Sequence, residues 1–128
     1  MRILLILVLI LSGITLLSAD VSDDFVEAIT SGNFVQAEGY YSPELADALQ
    51  KGKLEVVWKG ILQNTGDFEV LVESTREDRE DFYSVVATLK YENIYMDMVM
   101  TVDNDKEISG LFFRPSQYTG DLEVAPDY

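Results

Sequence analysis

Cysteine and histidine are both absent from this chain, and the two absences remove much of the chemistry a small protein can perform. Without cysteine there is no disulfide, thiolate metal site, thiol nucleophile or lipoprotein anchor. Without histidine there is no Ser-His-Asp or Cys-His machinery, no imidazole ligand and no imidazole base. Basic residues are also scarce, with 9 Lys and Arg against 23 Asp and Glu and a formal net charge of −14. A surface of that sign repels nucleic acid and anionic lipid, so no nucleic-acid partner is expected. The spacing of the charges forms no tail or block, which fits a solvated surface. No cofactor motif is present, and none is expected.

Only one long apolar run occurs, from Ile3 to Leu11, behind Arg2 and ahead of Ser12, Gly13 and Thr15. Ending at Leu17-Ser18-Ala19, it has the layout of a secretory signal peptide. Cleavage after Ala19 is one outcome. Retention is the other, because residues 3–19 as a helix at about 1.5 Å per residue span roughly 25 Å, marginal for a bilayer. Either way Arg2 before the run, and Asp20, Asp23 and Asp24 after it, predict an extracytoplasmic domain, secreted or anchored, that meets the membrane only through this segment. Without it the chain carries eight basic against 23 acidic residues.

The remaining length suits one domain, expected over residues 20–115, followed by an irregular tail or linker over 116–128 that holds proline, glycine and acids without periodicity. Ser22, Asp23 and Asp24 offer caps for a helix whose stripe is Phe25, Val26 and Ile29, broken at Ser31 to Asn33. A short helix with Phe34 and Ala37 follows. Ser42-Pro43-Glu44 starts another, with Leu45 and Leu49 on its buried side. Leu54, Val57, Trp58, Ile61 and Leu62 recur at helical spacing until Gly66.

Period-two alternation then takes over. Phe68, Val70 and Val72 predict a first strand before a polar turn at Arg76 to Arg79. Phe82 to Tyr91 and Ile94 to Val102 alternate in phase across Glu92-Asn93, so that Tyr91 meets Ile94, Leu89 meets Met96, Ala87 meets Met98 and Val85 meets Met100. Ile108 to Arg114 forms a fourth strand, expected to set Gly110 against Met100 and Phe112 against Met98, and Pro115 ends it. Helices followed by a four-stranded antiparallel meander define an α+β fold with helices packed on a curved sheet.

Several stretches resemble a known family: Phe25 to Ile29, the Gly32-Asn33-Phe34 break, Leu54 to Trp58 followed by Gly66-Asp67-Phe68, and above all Asp105 to Pro115. Together they resemble the domain-of-unknown-function family 3887 over about residues 23 to 115. The resemblance implies a nuclear-transport-factor-2-like cone, in which sheet and helices surround a pocket. It also implies association with serine α/β-hydrolases, since members often precede such a domain. It brings no catalytic residues.

Candidate chemistry is sparse. Asp103, Asp105 and Glu107 alternate like the start of a calcium loop, but Ile108 stands where glycine is needed and Arg114 where the closing glutamate belongs, so a polar turn and no metal are expected. Ser109-Gly110 lacks the pattern of a nucleophile elbow. Asp97, opposite Thr88, points away from the methionine face and out of reach of a pocket. Trp58, Tyr91, Met96, Met98, Met100 and Phe112 are candidates for a small apolar ligand's pocket, or else plain core. Val86, Val99, Leu111 and Phe113 are candidates for an interface on the other face, with a second copy or a hydrolase domain as partner. The sequence thus predicts a non-catalytic binding or accessory module. A small isomerase or lyase, and the detached regulatory half of a serine hydrolase, remain as alternatives.

Overall fold

The backbone turns from helix to strand where the hydrophobic period changes from 3.6 to 2. A computed structural model describes residues 20–118 and 120; the expected signal segment and the end of the tail lie outside the described residues. Among the described residues four helices precede the sheet: α1 (Val21–Thr30), α2 (Phe34–Glu38), α3 (Pro43–Ala48) and α4 (Lys53–Thr65). Strands β1 (Phe68–Asp78), β2 (Phe82–Tyr91), β3 (Tyr95–Asp103) and β4 (Ile108–Pro115) follow as an antiparallel sheet in sequential order. The architecture is α+β, as the element order predicts.

Local chemistry accounts for the helix ends. Asp20, not Ser22, caps α1, its carboxylate accepting from the Ser22 amide at 3.1 Å. Ser42 caps α3 by accepting from the Leu45 amide at 3.2 Å, with Pro43 in the first turn. Gly66, at φ 85°, ends α4, and the β2–β3 turn docks there: Glu92 Oε1 accepts from the Asp67 amide and the Asn93 amide donates to the Thr65 carbonyl. A side chain at Gly66 would collide with Glu92, with contacts as short as 2.5 Å, so the docking itself demands glycine.

Between β2 and β3 the register is the one the alternation predicts, pairing Val85 with Met100, Ala87 with Met98 and Leu89 with Met96. The β4 register differs. Val102 pairs with Ile108, but then Thr101 pairs with Gly110, Met100 with Leu111 and Met98 with Phe113. Ser109 is therefore an extra residue in β4, a β-bulge, and beyond it every side chain changes face. Gly110 fits the bulge because a Cβ there would stand 3.1–3.2 Å from the Thr101 side chain. Strand β1 departs from simple alternation in the same way. Its irregularities after Phe68 and Leu71 turn Phe68 toward Tyr91 and Leu71 toward Leu89, and set Val70 beside Lys90. It also runs on through Arg76–Asp78, expected as turn, because Arg76 stacks 3.6 Å from the Tyr83 ring centroid and pairs with Asp78 at 2.8 Å.

The core lies between the helices and the inner face of β2 and β3. Phe25, Ile29, Ala87, Leu89, Met98, Met100, Val102 and Ile108 are fully enclosed. Trp58 of α4 anchors an aromatic cluster, its ring 5.8–6.2 Å from Phe68, Tyr91 and Phe113. Segment 40–42 covers the start of β4, with the Ile108 amide donating to the Tyr40 carbonyl and the Ser42 amide to the Ile108 carbonyl, both at 2.8 Å.

Candidate functional site

The apolar stripe of helix α4 is only partly covered. Leu54 and Trp58 are buried, while Val57 remains about a third exposed at 36% and Ile61 is half-buried. The uncovered part of the stripe lies beside the edge strand β4. Between them runs a groove of about 350 Å³ lined by Leu49, Lys53, Leu54, Val57, Ile61, Met96, Leu111, Phe112 and Phe113. Eight of these nine are apolar and none is acidic, in a chain where acids outnumber bases 23 to 9. Leu49 also lines a shallower hollow of about 270 Å³ with Val35, Glu38, Gly39, Tyr41, Ala46 and Lys51. Glu38 is already engaged, accepting from the backbone amides of Gly52 and Leu54 at the start of α4.

The residues singled out from sequence separate into three places. Met96 and Phe112 line the groove. Tyr91, Met98 and Met100 are at most 1% exposed, and Trp58 is 4% exposed, so these four form core rather than wall of the groove. The bulge at Ser109 corrects two of the interface candidates. Leu111 and Phe113 face inward and pack on the core, Phe113 against Trp58, while Phe112 is 53% exposed and pairs across the strand with Val99. The outer-face row is thus Val86, Val99 and Phe112, with Thr75 continuing it on β1. Leu49, Lys53, Leu54, Val57 and Ile61 were not singled out as site residues. The helical stripe that contains three of them, Leu54, Val57 and Ile61, reads as ordinary core until the packing of α4 on the sheet is known.

Asp97 lies on the outer face opposite Thr88, as its strand phase predicts. It is 8% exposed, accepts from Thr88 Oγ1 at 3.0 Å and from Arg114 Nε at 3.3 Å, and borders a polar hollow with Arg114, Pro115 and Gln117. Its oxygens therefore serve structure on the face away from the groove. In the β3–β4 turn, carboxylate oxygens of Asp103, Asp105 and Glu107 come within 4.8 Å of one another and could offer ligands to a cation. Asp103 Oδ1 is meanwhile occupied by the amides of Asp105 and Glu107.

Three tyrosines have their hydroxyls in perturbed surroundings. Burial, with a smaller contribution from Glu38, pushes Tyr41 up to about 12. Burial alone raises Tyr91. The hydroxyls of Tyr41 and Tyr91 have no hydrogen-bond partner among the described residues. Tyr83 is raised by burial and by Asp20, whose carboxylate accepts its hydroxyl proton at 2.6 Å. For Asp20 itself burial opposes ionisation, but the hydrogen bonds from Tyr83 and Ser22 and the charge of Arg76 outweigh it and hold the carboxyl below its usual value.

Among the described residues no helix is long and apolar enough to cross a membrane. The model of the family described as "Protein of unknown function (DUF3887)" matches residues 22–111, and the chain belongs to that family. It is also similar to Esterase EstD of Thermotoga maritima, with 26% identity over 104 residues that make up 81% of this chain and 25% of that protein. The chain thus spans about a quarter of the length of that relative. No solved structure gives a significant match.

Proposed function

We propose that this member of the DUF3887 family is an exported, non-catalytic accessory module whose α4–β4 groove receives the apolar chain of a small ligand. The groove carries this reading: about 350 Å³, eight apolar walls and no acid, on an otherwise strongly acidic chain. Apolar pockets of a few hundred Å³ with few polar groups are the usual form of small-molecule sites. A cone-like enclosure would put the ligand on the helix-covered side of the sheet, where this groove lies. The nearby carboxylate supports binding over catalysis, since Glu38 is committed to backbone partners, and Asp97, on the other face, is committed to Thr88 and Arg114.

Titration of the protein with decan-1-ol, followed by the fluorescence of its one tryptophan, tests this reading. Trp58 sits against Phe113 of the groove wall, so saturable 1:1 quenching or enhancement is expected, abolished in Val57→Glu. An unsaturable response, or one unchanged by that substitution, would sink it.

Similarity to part of an esterase favours a second reading, in which the domain works beside a hydrolase through the outer-face row of Val86, Val99 and Phe112. Retention of a fluorophosphonate-reactive hydrolase on the immobilised domain, lost in Val86→Asp, is the expected result. Equal retention by the variant would refute that contact.

A further inference from the structure

The cations of this chain are few, and their placement is uneven. Of the eight described Lys and Arg side chains, five make ion pairs: Lys59 with Glu55, Arg76 with Asp78, Arg79 with Glu77, Lys90 with Glu69 and Arg114 with Asp97. Lys51, Lys53 and Lys106 make none within 4 Å among the described residues. Two of those three, Lys51 and Lys53, stand two residues apart at the start of α4. Lys53 is the charged member of the groove wall, Lys51 lines the adjoining hollow, and Leu49 is common to both. The acid in the lining of that hollow, Glu38, is turned onto the Gly52 and Leu54 amides. With so many acids available, two unpaired lysines beside an acid-free apolar groove form a local reversal of the chain's charge.

Resting on the groove reading above, we infer that the ligand is a single-chain amphiphile with an anionic head, a medium-chain carboxylate, its tail along α4 and β4 and its head between Lys51 and Lys53. The dimensions set the tail length. From Leu54 to Ile61 the helix advances roughly 10 Å at about 1.5 Å per residue. At about 30 Å³ per water-sized group, 350 Å³ holds on the order of ten methylenes. Chains of about eight to twelve carbons match both figures. The charge of the whole protein opposes any anion, so a preference for the carboxylate over its neutral analogue has to come from a local site.

The test is calorimetric titration of the full domain with decanoate and with decan-1-ol, below their aggregation limits, in the wild type and in the Lys53→Gln and Lys106→Gln variants. These two substitutions remove the same charge, one at the groove and one in the β3–β4 turn. The expected result is 1:1 binding with decanoate tighter than decan-1-ol, a loss of about threefold to tenfold for decanoate alone in Lys53→Gln, and no change in Lys106→Gln. Added salt weakens decanoate and leaves decan-1-ol unchanged. If decan-1-ol binds and decanoate binds no better, or if both variants weaken decanoate equally, the anionic head is refuted while the groove reading stands. If neither ligand binds, both fall. Co-sedimentation with phosphatidylglycerol vesicles without decanoate binding would likewise overturn the inference and point to a membrane surface instead.

Discussion

Replacing Phe113 and Phe112 by alanine, one at a time, should separate two adjacent phenylalanines by a large margin. Phe113 is partly buried and packs on Trp58 with ring centroids 6.2 Å apart. Complete burial makes Phe→Ala cost about 3–5 kcal/mol; for this half-buried ring the loss should be about 2–3 kcal/mol. Phe112 is 53% exposed on the other face, and its truncation should cost under about 1 kcal/mol. For a domain of this size that corresponds to a fall in Tm of roughly 10–20 °C for Phe113→Ala and a few degrees at most for Phe112→Ala. Urea unfolding read by Trp58 fluorescence gives both values on one scale, provided the transition is two-state. The contrast depends on the bulge at Ser109, because an unbulged β4 would exchange the two rings. Equal costs, or a greater cost at Phe112, would refute the register.

Tyr91→Phe should stabilise the fold by about 1 kcal/mol, since it removes a buried hydroxyl that has no partner; destabilisation by that amount in urea unfolding would mean the hydroxyl is bonded. The raised tyrosines also predict alkaline sensitivity. Their folded pKa values lie above the ordinary 10.0, so their contribution is complete below pH 10 and is lost as pH rises through the folded values. In Tyr91→Phe that decline should be shallower by about 1.4 kcal/mol per pH unit above 10, and an unchanged slope would contradict the burial of Tyr91. Asp20 behaves oppositely. Its depressed pKa supplies stability above the unfolded value of 3.8 that is lost as pH falls through the folded one, so Asp20→Asn should flatten the acid limb of the stability curve, and an unaltered limb would count against the Tyr83 pairing.

The parts of the fold that follow from local rules were readable in the sequence. The Glu92-Asn93 turn and the alternation on either side of it determine the β2–β3 register, because any slip would set apolar residues against the wrong face. Ser42-Pro43 and Gly66 mark helix ends for reasons internal to a few residues. The bulges in β1 and β4 were not readable, since an inserted residue alters no composition and leaves the apolar count intact. Gly110 was the one local hint, and its meaning depends on how closely Thr101 approaches across the strand. The groove was half readable: Met96 and Phe112 were named among its walls, Phe112 on the wrong strand phase. The helical wall around Val57 was not named, because whether Leu54, Val57 and Ile61 are core or groove depends on where α4 lies over the sheet, which only tertiary packing decides. The unpaired state of Lys51 and Lys53 is likewise a fact of geometry.

Methyl resonances of the methionines give the most direct test of the groove as the binding surface. Met96 lines it, while Met98 and Met100, on the same face of the same strand, are fully enclosed. With decan-1-ol added stepwise to methyl-labelled protein, the Met96 ε-methyl signal should shift saturably and show contacts to the ligand's methylenes, with much smaller changes at Met98 and Met100. Saturable shifts that leave Met96 in place, or that move all three together, would contradict the assignment of the groove.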